Sequence, residues 1–341
     1  MLAHVLVEPG RIELRDLPRP TAGPGEVVLR IRSALTCGTD VKAFLRGHPK
    51  FPMPTPFGHE FAGEIVEVGK NVKGMRSGDA VMTTPTAPCK VCYYCQRSQE
   101  NLCDTVMDTM TLGGYAEYIK LPARIVETNL YKKPINLSFA AAALLEPLSC
   151  VMHGLDLLTL RPDDTIVLVC AGAISLLHLL ALRALGMQRV AVLGRSPGRA
   201  AHARRLGADE VFIGGVEKAS DAVHEYTDGR GADIVIECTG QVPVWEASPA
   251  LARRGGTVVL FGGCTPGTQV RIDTERFHYD ELRILSPFHS TPRAVRRAYE
   301  LLCSGDLDGD ALISGSYSLT ELPAALEAHR EGRGIKFVLQ P

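Results

Sequence analysis

Apolar residues are distributed along the chain in two textures. Up to about residue 148, short β-branched runs are separated by Pro and Gly. VVLRIRSAL (27–35), EIVEVG (64–69) and DAVMTT (79–84) read as strands bounded by turn residues, which predicts a compact β-rich domain. From about residue 162 the pattern changes. TIVLVC (165–170) is a buried-strand run, ISLLHLLALRALG (174–186) has the length and spacing of a helix, and RVAVLG (189–194) is a strand again. ADIVIECTG (232–240) and GGTVVLFGG (255–263) continue the alternation, which predicts βαβ units and a parallel sheet. Past residue 286 a Pro-started helix, PRAVRRAYELLCSG (292–305), leads to a short strand, IKFVLQ (335–340).

At 341 residues the chain has room for two domains of about 150 residues or more. Lys and Arg number 37 against 38 for Asp and Glu, a formal net charge of −1 that argues against a nucleic-acid or anionic-membrane partner. No apolar run approaches the ~20 residues that span a bilayer. The opening MLAHVLVEPG lacks the basic and long apolar regions of a secretory signal, so a soluble, cytoplasmic protein is expected. Ten cysteines are the unusual feature of this composition. In a reducing compartment they point to metal binding or catalysis rather than disulfides.

CKVCYYCQRSQENLC spaces Cys89, Cys92, Cys95 and Cys103 by three, three and eight residues. Four thiolates on one short lobe can close a tetrahedral Zn²⁺ site with no open position, which makes the site structural. The residues flanking the quartet are not basic, against a nucleic-acid-binding zinc lobe. A second set is more scattered. CGTD (37–40) ends a strand, and GHEFAG (58–63) follows the Pro-rich loop PMPTPF (52–57). Cys37 and His59 are metal-ligand types, and Glu60 or Glu146 could add an oxygen. Three protein ligands plus water would form an open, catalytic zinc site.

CGTD, GHEFAG, the quartet, LGGYAEY (112–118) and EPLSCVMHG (146–154) occur in one order. By these motifs the chain resembles the zinc-dependent medium-chain alcohol dehydrogenases, and Glu146-Pro147-Leu148 is similar to their sorbitol and threonine dehydrogenase branch. The resemblance implies an α/β protein with two zinc ions per chain. A GroES-like β-rich catalytic domain would occupy 1–150 and a Rossmann doubly wound parallel sheet for NAD(P) 151–288. Residues 289–341 would return to complete the first domain, with the active site in the cleft between the two. Cys37 and His59 would hold the catalytic zinc, with Glu60 and Glu146 binding it directly, through water or alternately. Thr39 stands where the family keeps a hydroxyl that takes the alcohol proton. Lys42 departs from the family, whose many relatives carry a proton-relaying His there; Asp40 and His48 are the weak substitutes. The family also forms homo-oligomers, dimers or tetramers, partly through edge strands, which makes GGTVVLFGG a candidate interface strand.

The nucleotide loop after the first strand of the second domain is Cys170-Ala171-Gly172-Ala173-Ile174-Ser175. Only the central Gly of the usual GxGxxG survives, the one that admits pyrophosphate to a helix N-terminus. The second strand ends in Gly194, followed by Arg195 and Ser196, with Arg199 nearby. A carboxylate there would bind the ribose 2′-hydroxyl of NAD(H); guanidinium and hydroxyl donors favour the 2′-phosphate of NADP(H). By resemblance, backbone at Thr239 and Gly262 would line the nicotinamide side. The expected function is a zinc-dependent oxidoreductase moving hydride between NADP(H), less readily NAD(H), and a secondary alcohol or polyol and its carbonyl form. Two alternatives stand beside it: a zinc-free quinone or enone reductase on the same fold, and a non-catalytic NADP(H)-sensing protein.

Overall fold

The runs of β-branched residues become strands close to where the sequence places them. In chain order the first unit contains β1 (Leu2–Glu8), β2 (Arg11–Asp16), β3 (Val27–Leu35), α1 (Gly38–Arg46), β4 (Thr55–Pro56), β5 (Phe61–Val68) and β6 (Ala80–Met82). It continues with β7 (Tyr118–Leu121), α2 (Ala123–Asn129), β8 (Tyr131–Lys132), α3 (Phe139–Ala143) and the start of α4 (Leu145–Asp156). The second unit comprises β9 (Thr165–Val169), α5 (Ala173–Ala184), β10 (Arg189–Gly194), α6 (Pro197–Arg205), β11 (Glu210–Ile213) and α7 (Val216–Tyr226). Then come β12 (Ala232–Glu237), α8 (Val242–Ala247), β13 (Ala252–Leu260), α9 (Thr274–Tyr279) and β14 (Arg283–Leu285). The chain finishes with α10 (Pro292–Ser304), β15 (Ile313–Ser318), α11 (Leu322–Glu331) and β16 (Lys336–Gln340).

This computed structural model describes residues 1–341 and divides into two units, Met1–Ser149 with Ser290–Pro341, and Cys150–His289. In the first unit a seven-stranded sheet runs β15-β16-β3-β5-β6-β8, with β7 also on β3, beside a small β2-β1-β4 sheet. Strand β3 is buried along most of its length, with Arg30 turned outward, and Leu29, Ile31, Phe57, Phe61, Ile65, Tyr115 and Leu339 share its core. Residues 336–340 therefore close a sheet begun by residues 27–35.

In the second unit six parallel strands run β11-β10-β9-β12-β13-β14. This is the doubly wound order 3-2-1-4-5-6, whose switch point lies between β9 and β12. One expectation is corrected here. The GGTVVLFGG segment is not an edge strand: β13 is hydrogen-bonded to β12 on one side and β14 on the other. The 283–285 segment, at three residues too short to read as a strand, covers it. No helix is long and apolar enough to cross a membrane.

Candidate metal and nucleotide sites

Cys37 is the N-cap of α1, its Sγ accepting the Thr39 N–H at 3.4 Å. That cap turns Asp40 inward, where it is fully buried. His59 and Glu60 lie on the approach to β5. The approach depends on Gly58, whose φ is +90° and where a Cβ would lie 2.7 Å from the Tyr115 ring. One ligand atom from each of Cys37, His59 and Glu60 falls within 4.8 Å of the others. Glu146, near the start of α4, stands outside this group, though its charge acts on Lys336.

The groups around the three are as specific as the three themselves. Asp40 Oδ1 accepts from His59 Nδ1 at 2.9 Å, and Asp40 Oδ2 accepts from the Tyr115 hydroxyl at 2.6 Å. Lys336 on β16 donates to Glu60 Oε2 and, at 3.2 Å, to the Thr36 carbonyl. Both members of this ion pair are buried, 1% and 0% exposed. Glu60 Oε1 is buried with no partner at all. Burial pulls His59 down, but Asp40 and Cys37 outweigh it and leave the imidazole well above its usual range. Burial and the Glu60 charge push the Cys37 thiol up, against the pull of His59 and Lys336. A soft sulfur, a borderline nitrogen and an orphaned carboxylate oxygen converge beside the buried Asp40 carboxylate, and this donor set fits a zinc ion.

Lys42 lies exposed on α1, and Asp40 is sealed by its two hydrogen bonds. His48 is half-buried, its ring 4.3 Å from Phe51, which in turn lies 6.3 Å from His59.

The other four ligand-type cysteines form a second group, again with all Sγ atoms within 4.8 Å. Backbone amides point at the sulfurs: Val91 and Cys92 N–H reach Cys89 Sγ at 3.5 and 3.3 Å, and Cys89 N–H reaches Cys103 Sγ at 3.2 Å. The Val91 amide is the main cause that draws Cys89 down to about 6, while burial drives Cys95 up to about 12. Hydrogen bonds to sulfur of this kind hold thiolates ready for a metal, and a closed four-sulfur set fits structural zinc. All ten cysteines are free of disulfides.

In the second unit Gly172 is the N-cap of α5, with Ala173 and Ile174 in its first turn. Cys170, in the tight-turn position, has φ of +127°, a conformation glycine adopts at no cost and cysteine does not. Its Sγ accepts the Gly172 N–H at 3.2 Å. Gly194 ends β10, exposed Arg195 follows, and Ser196 caps α6 by accepting the Arg199 N–H at 3.4 Å. A Cβ at Gly172 would come within 4.0 Å of Arg199 Nη1, so the guanidinium hangs beside the loop. Thr239 N–H donates to buried Glu237 Oε1 at 2.5 Å, and the Gly262 carbonyl accepts from Trp245 Nε1 at 2.9 Å. Sequence reasoning missed Lys336, Tyr115 and Glu237; a lone lysine inside the apolar run IKFVLQ was the available signal for the first.

Comparison with known proteins adds independent findings. Residues 23–133 match the profile of the alcohol dehydrogenase GroES-like domain, and residues 173–304 that of the zinc-binding dehydrogenases. The chain is 33% identical over 331 residues to D-arabitol-phosphate dehydrogenase of Enterococcus avium, covering 95% of this chain and 92% of that one. It is 28% identical to sorbitol dehydrogenase of Halalkalibacterium halodurans over 336 residues, 97% of this chain and 96% of the relative. Among solved structures, one from Sinorhizobium meliloti 1021, described as a zinc-binding dehydrogenase bound to NADP, superposes with a TM-score of 0.89. It shares 30% identity and covers 100% of this chain and 99% of its own.

Proposed function

Because this chain belongs to the zinc-type medium-chain alcohol dehydrogenases, on the sorbitol-dehydrogenase-like branch, we propose that it oxidises a secondary hydroxyl of a polyol, reversibly, using zinc and NADP(H). The observation that carries the reading is the buried group Cys37, His59 and Glu60 with an unpartnered Glu60 Oε1. Zinc bound there would supply Lewis acidity that lowers the pKa of a substrate hydroxyl, and NADP⁺ would supply the hydride acceptor.

The chain's own residues then have separable tasks. Asp40 keeps the proton on His59 Nδ1, which leaves Nε2 with its lone pair for the metal. Lys336 holds Glu60 Oε2 and directs Oε1 to the pocket, so Glu60, rather than Glu146, is the third direct ligand. The Thr39 hydroxyl, two residues after Cys37, would accept the proton of the substrate hydroxyl and pass its own on toward bulk water. Cys89, Cys92, Cys95 and Cys103 hold a second, structural zinc. Around the cofactor, Gly172 with Ala173 and Ile174 presents the amino end of α5 to the pyrophosphate. Arg195 and Arg199, with Ser196, meet the 2′-phosphate, and backbone at Gly194, Thr239 and Gly262 completes the seat. Polyol substrates are supported by the names of the relatives, arabitol phosphate and sorbitol dehydrogenases.

Two measurements test this reading together. Zinc quantification should give two ions per chain, and a panel of polyols and ketoses followed by NADPH absorbance should show turnover with a higher kcat/KM for NADP⁺ than NAD⁺. Full activity after complete zinc removal would return the zinc-free reductase. Tight NADPH binding with no turnover of any alcohol or carbonyl compound would return the sensing protein.

A further inference from the structure

Two half-buried thiols stand at the switch point of the parallel sheet, and no step of the proposed chemistry uses them. Cys170 follows β9 and Cys238 follows β12, and these strands pair in parallel with Val169 opposite Glu237. The Cys238 N–H donates to the Val169 carbonyl at 3.1 Å, and Cys170 and Cys238 are the first residues past the paired ladder on the two neighbouring strands. Adjacent strands lie roughly 4.8 Å apart. That falls inside the Cα separation of about 4.4–6.8 Å that a disulfide spans. Charge on one thiol is also felt by the other, since Cys170 contributes to raising Cys238.

We propose that Cys170 and Cys238 form a reversible disulfide across the switch point when no dinucleotide is bound, and that this bond disables the nucleotide loop. The second half rests on the dinucleotide reading above. The oxidant is a low-molecular-weight disulfide such as glutathione disulfide. The Cys170 sulfur, as thiolate, attacks one sulfur of it and releases one glutathione thiolate. Cys238 then gives up its proton and attacks the Cys170 sulfur, releasing the second glutathione. Two protein thiols are oxidised and one glutathione disulfide is reduced to two thiols. Cys170 is the attacking sulfur. Burial pushes both thiols up, Cys238 well above its usual range, whereas the Gly172 amide, Arg199 and Arg195 pull Cys170 partly back.

The cost to binding follows from the loop. In the reduced chain Cys170 Sγ is tied to the Gly172 amide and shapes the turn that leads into α5. A bond to Cys238 withdraws that sulfur and redraws residues 170–172, where backbone must approach the pyrophosphate. A bound dinucleotide covers the same loop and shields the pair.

The test uses reduced, zinc-loaded enzyme incubated with glutathione disulfide at mildly alkaline pH, followed by alkylation of free thiols, digestion and mass spectrometry. A peptide joined through Cys170 and Cys238 is expected, suppressed by saturating NADP⁺. NADPH affinity, read by fluorescence, should weaken about tenfold or more, the worth of one lost hydrogen bond to a charged group. Dithiothreitol should restore it. Cys238→Ser should give no joined peptide and should stop instead at the mixed disulfide of Cys170 with glutathione, read by mass. Absence of the joined peptide while other thiols are modified overturns the proposal, as does an unchanged affinity in the joined form or a Cys170 that carries no glutathione in Cys238→Ser. NADPH and NADH titration of the untreated enzyme comes first. Failure there overturns the cofactor reading, and the joined peptide still decides the pair.

Discussion

Lys336→Met removes the ammonium from a pair whose members are 1% and 0% exposed. The replacement nearly conserves volume, so the loss is electrostatic rather than a cavity. Breaking a buried pair by deleting one partner costs about 3–5 kcal/mol, because the remaining charge is stranded without water. Here the stranded group is Glu60, which already has one unpartnered oxygen. In the metal-free protein the full penalty should appear. In the zinc-loaded protein the cation itself compensates Glu60, and the penalty should shrink by half or more. By linkage, the variant should then hold zinc more tightly than the parent. Lys336→Met, Glu60→Gln and the double variant are melted with and without zinc. The double should cost less than the sum of the singles, since it strands no charge. Additive losses, a metal-free loss below about 1 kcal/mol, or equal losses with and without zinc would refute the argument.

Asp40→Asn keeps the shape beside His59 Nδ1 but removes the charge; zinc affinity by chelator competition should fall about 10–100-fold. Arg199→Ala should lower kcat/KM for NADP⁺ by about tenfold or more and leave NAD⁺ nearly unchanged, the loss of a charge-assisted contact to phosphate. His178 is held neutral by burial, with its pKa lowered to about 4 and its Nδ1 donating to the Ile174 carbonyl at 2.9 Å. The unfolded chain takes up that proton first, so this residue's contribution is complete above about pH 6.5 and is lost as pH falls toward 4. The loss is about 3 kcal/mol. His178→Asn should show a correspondingly shallower fall in stability across that window, measured by denaturant titration.

Much of this molecule was legible because local pattern and tertiary role agree. VVLRIRSAL is buried on nearly every position, so its apolar run marked β3 (Val27–Leu35) to the residue. The cysteine quartet is contiguous, and its spacing alone carries its geometry. The first strands, Leu2–Glu8 and Arg11–Asp16, were not singled out, because the polar residues of the second dilute the signal. The metal pocket was legible only in part. Cys37, His59 and Glu60 sit in quotable motifs, but the choice between Glu60 and Glu146 depends on a backbone path that spacing cannot fix. Asp40 looked like a relay because an acidic residue near a ligand can serve as one; only its burial against His59 and Tyr115 shows what it does. Lys336 is 276 residues from its partner, a pairing that no local pattern encodes.

That separation sets an order on synthesis. A domain emerging from the ribosome generally folds as a unit once its sequence is available. Residues 150–289 can do so, being continuous in the chain. The unit that carries Cys37, His59 and Glu60 cannot, because β16, with Lys336 as its first residue, is made only after all of the second unit. Until then Glu60 has no countercharge and β3 (Val27–Leu35) lacks one neighbour. The late strand therefore completes the first unit in one step, supplying both the countercharge of Glu60 and the missing neighbour of β3.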